Sequence, residues 1–127
     1  MEDMANVEYN MAYMEGMDTG VDAAPDVPAD PPGVYTHRFG KPFTYMGKAY
    51  GSLRFDWGRL TGADALEIER ELNALGAVLI LPAYNGPYLC RLAAKACDER
   101  VGADAFEGMP MRDFMRIQDE ARGFLQA

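Results

Sequence analysis

The stretch VYTHRFGKPFTYMGKAYGSLRF, residues 34–55, decides the fold. Val34, Tyr35, Thr36 and Phe39 are β-branched or aromatic, types that fit a pleated, half-buried surface. Gly40 and Pro42 break the run, and FTYMGKAYGSLRF resumes it. Gly47, between FTYM and KAY, predicts a tight turn, and a connection this short pairs strands antiparallel. Tyr45, Tyr50 and the pair Leu53/Phe55 supply a half-buried face. A β-hairpin or small meander is expected here.

Downstream the period changes from two to 3.6. Thr61 opens a helix with a T-x-x-D capping box closed by Asp64. Ala65, Ile68, Leu72 and Leu75 repeat at i, i+3, i+7, i+10, Leu66 widens the stripe, and Gly76 is placed to stop it. In AVLILPAYNGP, residues 77–87, VLIL reads equally as a short strand, a buried connector or a helical turn. A second helix is expected from Pro87 to Arg100, with Leu89, Leu92, Ala93 and Ala96 inward. A third begins near Pro110, a residue suited to the first helical position, with Phe114, Ile117, Ala121 and Phe124 as its stripe. Strands followed by helices make an α+β fold of a hairpin and three packed helices.

Upstream the composition is different. The chain has 127 residues and a net charge of -8. Residues 1–32 hold eight acids and no Lys, Arg or His, leaving 12 acids against all 12 bases in the remainder. Two regions follow: an acidic Met/Pro-rich tail and linker, residues 1–33, and a neutral domain, residues 34–127. The segment DTGVDAAPDVPADPPG, residues 18–33, has too little apolar surface to offset the entropy of ordering and reads as a linker. Met4, Val7, Met11 and Met14 fall on one helical stripe. The segment reads as a disordered acidic tail, or as a short helix that docks in a groove through adaptable Met side chains. An isolated helix of this length is marginal in water, so its order must come from a partner or from the domain. The charges are too sparse to favour mimicry of nucleic acid.

The residues that could carry chemistry are few. His37 is the only histidine, and no nucleophile motif accompanies it, so it reads as structural. Cys90 and Cys97 are seven residues apart, which on one helix is about 10.5 Å and too far to bridge. Neither lies in a C-x-x-C pair, so no metal is expected. Gly40 to Ala49 imitates a phosphate loop, but its spacing is too long and Ala49 replaces the hydroxyl. Asp98-Glu99 and Asp119-Glu120 read as solvated faces. Trp57, beside Asp56 at a strand end, reads as a core anchor and is also a type enriched in binding hot spots. Basic residues are dispersed, so no nucleic-acid partner is expected. No apolar run is long enough to span a membrane, MEDMANVEYN has no secretory character, and a cytoplasmic address is expected.

Three segments carry a resemblance: the hairpin FGKPFTYMGKAYGSLRF (39–55), the helix start DWGRLTGADALEIERE (56–71) and the C-terminal GMPMRDFMRIQDEARGFL (108–125). In that order, with Tyr88-Leu89 and Leu92-Ala93-Ala94 between them, Tyr35 to Ala127 resembles the tail assembly chaperones of Mu-like and related tailed phages. Residues 1–32 lie outside the resemblance. It implies a non-enzymatic holdase with no cofactor, made in the bacterial cytoplasm and absent from the mature virion. It implies the tape measure protein as helical client, with the tail tube protein and a second copy of the chain as further partners. The candidate partner-binding residues are Trp57, Met109, Met111, Phe114 and Met115. Adaptable Met side chains suit varied helical clients, while ordinary core filling is the other reading of these Met. The rival class is a prophage-encoded regulatory or inhibitory protein acting through the acidic tail.

Overall fold

The computed structural model describes residues 29–127, and the acidic tail with its Met stripe lies outside the described residues except for Ala29–Gly33. The fold is α+β: one antiparallel hairpin, β1 (Val34–Tyr45) and β2 (Lys48–Asp56), followed by α1 (Gly62–Ala74), α2 (Gly86–Ala96) and α3 (Met111–Gln126). Among the described residues the sheet has two strands, the expected hairpin. Met46 and Gly47 turn it, both with positive φ (52° and 78°), the signature of a two-residue type I′ turn.

Gly40 and Pro42 do not break β1. Arg38 pairs with Ser52 and Phe43 with Tyr50, so the four residues Phe39 to Pro42 stand against Gly51 in one large bulge. Pro42 has no N–H to lose there, and the bulge re-aims the strand so that Phe43 is buried.

The inward face of the hairpin builds an aromatic spine. Tyr35 lies opposite Phe55 and His37 opposite Leu53. Phe55 stacks on Trp57 (5.3 Å, 8° between planes), and Trp57 stacks on Phe124 of α3. Phe106, on a short 3-10 segment at Ala103–Gly108, closes the other side of Phe55. Ile68 and Leu72 from α1, Leu89, Leu92, Ala93 and Ala96 from α2, and Ile117 and Ala121 from α3 complete the core. Small Ala residues on α2 let its neighbours approach closely.

The caps are where local chemistry places them. Thr61 donates its N–H to the Asp64 carboxylate at 2.8 Å, closing the expected box. Asn85 caps α2 by accepting from the Tyr88 N–H at 2.8 Å. Gly76 (φ +81°) ends α1: Ala77 N–H reaches Leu72 C=O and Gly76 N–H reaches Asn73 C=O, a Schellman motif. Leu75 is thereby carried off the stripe and exposed, as is Leu66, contrary to their expected core role.

α2 stops at Ala96, earlier than the Arg100 expected. Cys97 turns extended and bridges Phe55, and Asp98 N–H donates to Arg54 C=O at 2.8 Å. The Glu99 carboxylate accepts the Arg54 N–H at 2.9 Å. Tertiary pairing with the open edge of β2 outweighs another turn of helix. Pro110 stands one residue ahead of α3, as its N-cap.

Candidate functional site

The VLIL stretch is neither strand, helix nor buried connector. After the Schellman turn the chain runs irregularly through residues 77–81. Ala77 and Leu79 pack against the core, while Val78 (78% exposed) and Ile80 (79%) point outward. This is the two-residue alternation of an extended segment whose outer side has no neighbouring strand. Leu81 is also exposed, and Pro82 opens a single 3-10 turn, Pro82–Tyr84.

Two contacts pin that turn to the end of α3. Arg122 Nε donates to Ala83 C=O at 2.8 Å with its guanidinium 5.1 Å from the Tyr84 ring centre, and Gln126 donates to the Tyr84 hydroxyl. On the other side, a shallow groove of about 310 Å³ runs between Glu69 and Asn73 of α1 and Leu79, Ile80 and Pro82. Leu66 precedes Glu69 and Asn73 at i, i+3 and i+7, so it continues the same face. Val78, Ile80, Leu81 and Tyr84 thus put four exposed apolar side chains on one short segment, with Leu66 exposed on α1 and Leu75 exposed at its end. Apolar side chains gathered in this way mark an interaction surface more than scattered ones do.

The residues singled out from sequence fall in three places. Trp57 and Met109 are buried, Trp57 between Phe55 and Phe124, so neither offers a partner surface. Phe114 is half-buried against the core. Met111 and Met115 are exposed on the first turns of α3. At about 100° per residue, Met111, Met115 and Arg122 lie within roughly 40° of one another. The two Met therefore continue toward the N-terminus of α3 the face whose other end carries Tyr84.

The titratable groups elsewhere serve the fold. His37 is 5% exposed and spans β1 to α3. Its Nε2 meets Asp113 Oδ1 at 2.7 Å and its Nδ1 meets the Tyr35 hydroxyl at 2.8 Å. In the neutral ring, Nε2 donates to the carboxylate and Nδ1 accepts from the phenol. Both nitrogens are thus satisfied within the fold. Burial pushes the Tyr35 hydroxyl up to about 12, against the pull of Arg116 over its ring. Burial also pushes the Cys97 thiol up to about 11 and raises that of Cys90. Neither is poised as a thiolate nucleophile.

Another groove, of about 730 Å³, lies elsewhere, between Arg59, Lys95, Asp98 and Arg100. Most of its charges are paired: Asp98 pairs with Arg59 and Arg54, which hold its carboxyl below the usual range, and Lys95 pairs with Glu67. Among the described residues no group of three or more His, Cys, Asp and Glu is arranged to hold a metal ion, and no helix is long and apolar enough to cross a membrane. Comparison with protein-family models, curated proteins and solved structures gives no match.

Proposed function

We propose that the chain is a tail assembly chaperone: a non-enzymatic holdase that covers apolar helical stretches of a phage tape measure protein. It acts in the host cytoplasm, helps recruit tail tube subunits and leaves before the virion is finished. The observation that carries the reading is the exposed apolar segment from Val78 through Ile80 and Leu81 to Tyr84, with Met111 and Met115 also exposed on α3. A client helix presents apolar residues along one side over many turns, and exposed apolar side chains are what that side can cover. Unbranched Met side chains adapt to successive, non-identical segments. The motif order across Tyr35–Ala127 supports the same reading.

Calorimetric titration with tape measure fragments tests it. Binding should carry a negative heat-capacity change and persist at raised salt, because apolar burial drives it. Ile80→Asp and Leu81→Asp should each weaken binding at least tenfold. Both positions are exposed, so unfolding midpoints should move by less than about 0.5 kcal/mol in stability. Trp57 is a poor reporter of binding, since its ring is in the core; its fluorescence follows folding. No binding by a folded sample at either salt overturns the reading. Binding that vanishes at raised salt assigns the activity to the acidic tail and favours the regulatory class.

A further inference from the structure

We propose that the groove between α1 and the connector at Leu79–Pro82 selects partner helices that carry a Lys or Arg beside an apolar residue: the apolar side chain packs on Ile80, and the cation pairs with Glu69. The holdase reading supplies only the name of the client; the selection applies to any such helix.

The walls of the groove differ in character. Glu69 and Asn73 line it from α1, and Leu79, Ile80 and Pro82 line it from the connector. The connector brings no charge, since residues 76–85 hold no Asp, Glu, Lys, Arg or His. Ile80 is 79% exposed, so most of its apolar surface is still to be buried. Glu69 is the one charged residue among those that line the groove. Arg70, the next residue, is turned about 100° away along the helix and is not among them.

Glu69 differs from the other acids of α1. Asp64 closes the Thr61 cap, Glu67 pairs with Lys95 at 2.8 Å, and Glu71 pairs with Arg91 at 3.3 Å. Both of those bases lie on α2, and Glu69 sits about 160° from Glu67 and Glu71, on the opposite flank of α1. Among the described residues Glu69 has no ion pair and no side-chain hydrogen bond, although it is half-buried. It stands at the edge of the core: buried Tyr88 has its hydroxyl raised by burial first and by the Glu69 charge next. A carboxylate partly withdrawn from water gains more from a cation than one in open solvent.

That leftover charge chooses the occupant. An acidic helix would set like charges against each other over Glu69. A purely apolar helix would strip water from the carboxylate and return nothing. A Lys or Arg satisfies it, and its apolar stem can lie along Ile80 while the head reaches Glu69. On a helix, residues three or four apart are neighbours, about 5–6 Å between Cβ atoms, so one apolar residue and one base present themselves together. The Asn73 amide, one turn after Glu69, makes no side-chain hydrogen bond among the described residues and can accept from a second donor of the cation.

The test titrates the full chain with two synthetic 20-residue amphipathic helices that share one Leu stripe, flanked by Lys in one and by Glu in the other. Calorimetry gives the affinities, and backbone amide shifts report the place. At low salt the Leu/Lys helix should bind about tenfold more tightly, with shifts at Asn73 and residues 79–81. Glu69→Gln should cut that contrast to about twofold, and Glu69→Lys should reverse it, a result that loss of folding cannot produce. Ile80→Ser should weaken both helices and leave the contrast between them. Raised salt should shrink the contrast while binding persists. A contrast unchanged by Glu69→Gln, with shifts confined to residues 1–32, overturns the proposal and assigns the preference to the acidic tail. No binding of either helix also overturns it. Equal binding of the two helices with shifts at 79–81 overturns the selection and leaves the holdase reading standing. Selective binding at the groove, with no binding of tape measure fragments, leaves the selection standing and ends the holdase reading.

Discussion

Phe55 has no exposed surface and meets Tyr35, Trp57 and Phe106 ring to ring. Phe55→Ala should therefore cost about 3–5 kcal/mol, the range for a buried Phe whose cavity cannot collapse. Phe114 is only half-buried, and Phe114→Ala should cost clearly less. Denaturant midpoints of the two variants order them, and an equal loss would contradict the burial seen here. The same scale holds the pH response. Tyr35 is raised from 10 to about 12 and Cys97 from 9 to about 11, each by burial first. In both cases the folded chain holds the proton more tightly than the unfolded one. That contribution is fully present below pH 9, and it is lost between 9 and 11 for Cys97 and between 10 and 12 for Tyr35. Urea midpoints should fall over this alkaline range, and Tyr35→Phe should flatten the slope above pH 10. His37 shows what one residue's sequence position reveals: a lone histidine reads as structural, but its partner Asp113, 76 residues away, becomes visible only when α3 packs on β1.

Among the elements, the glycines that end and turn them carry opposite predictions from those inside them. Gly76 has φ +81°, and a Cβ there would meet no heavy atom within 4 Å. The cost of Gly76→Ala is therefore backbone strain alone, about 1–2 kcal/mol. Gly123 lies within α3, with equally open space around it. Gly123→Ala should stabilise by about 0.5–1 kcal/mol, since Ala is the better helix former. Chemical denaturation should show these shifts with unchanged m-values. The three helices and the turn at Gly47 were legible because periodicity, caps and glycine placement agreed. The VLIL connector was not. A run of four apolar residues has no period to assign it a burial, and its exposure follows from the Schellman turn ahead and Pro82 behind. The end of α2 was hidden for a related reason: Cys97 leaves the helix to pair with Phe55, a contact no local pattern encodes.

For the whole molecule, the separation of charge from fold governs solution behaviour. The packed unit reaches back to Asp30, so the cut that tests separability falls before Ala29 rather than at Gly33. Removing residues 1–28 takes away seven of the 20 acids and none of the 12 bases, bringing the net charge from -8 to -1. The hairpin and three helices close their own core over residues 34–127, so the melting temperature should change little. A fall of many degrees would show that residues 1–28 carry core packing. Solubility near pH 7 should drop sharply, because self-repulsion disappears as the charge approaches zero. The exposed side chains of Val78, Ile80 and Leu81 then decide how far the truncated chain associates. In the truncated chain, Ile80→Ser and Leu81→Ser keep the charge at -1 and remove only apolar surface. Light scattering of that variant should fall below that of the truncated chain and stay above that of the full one. If it matches the truncated chain, charge alone governs association.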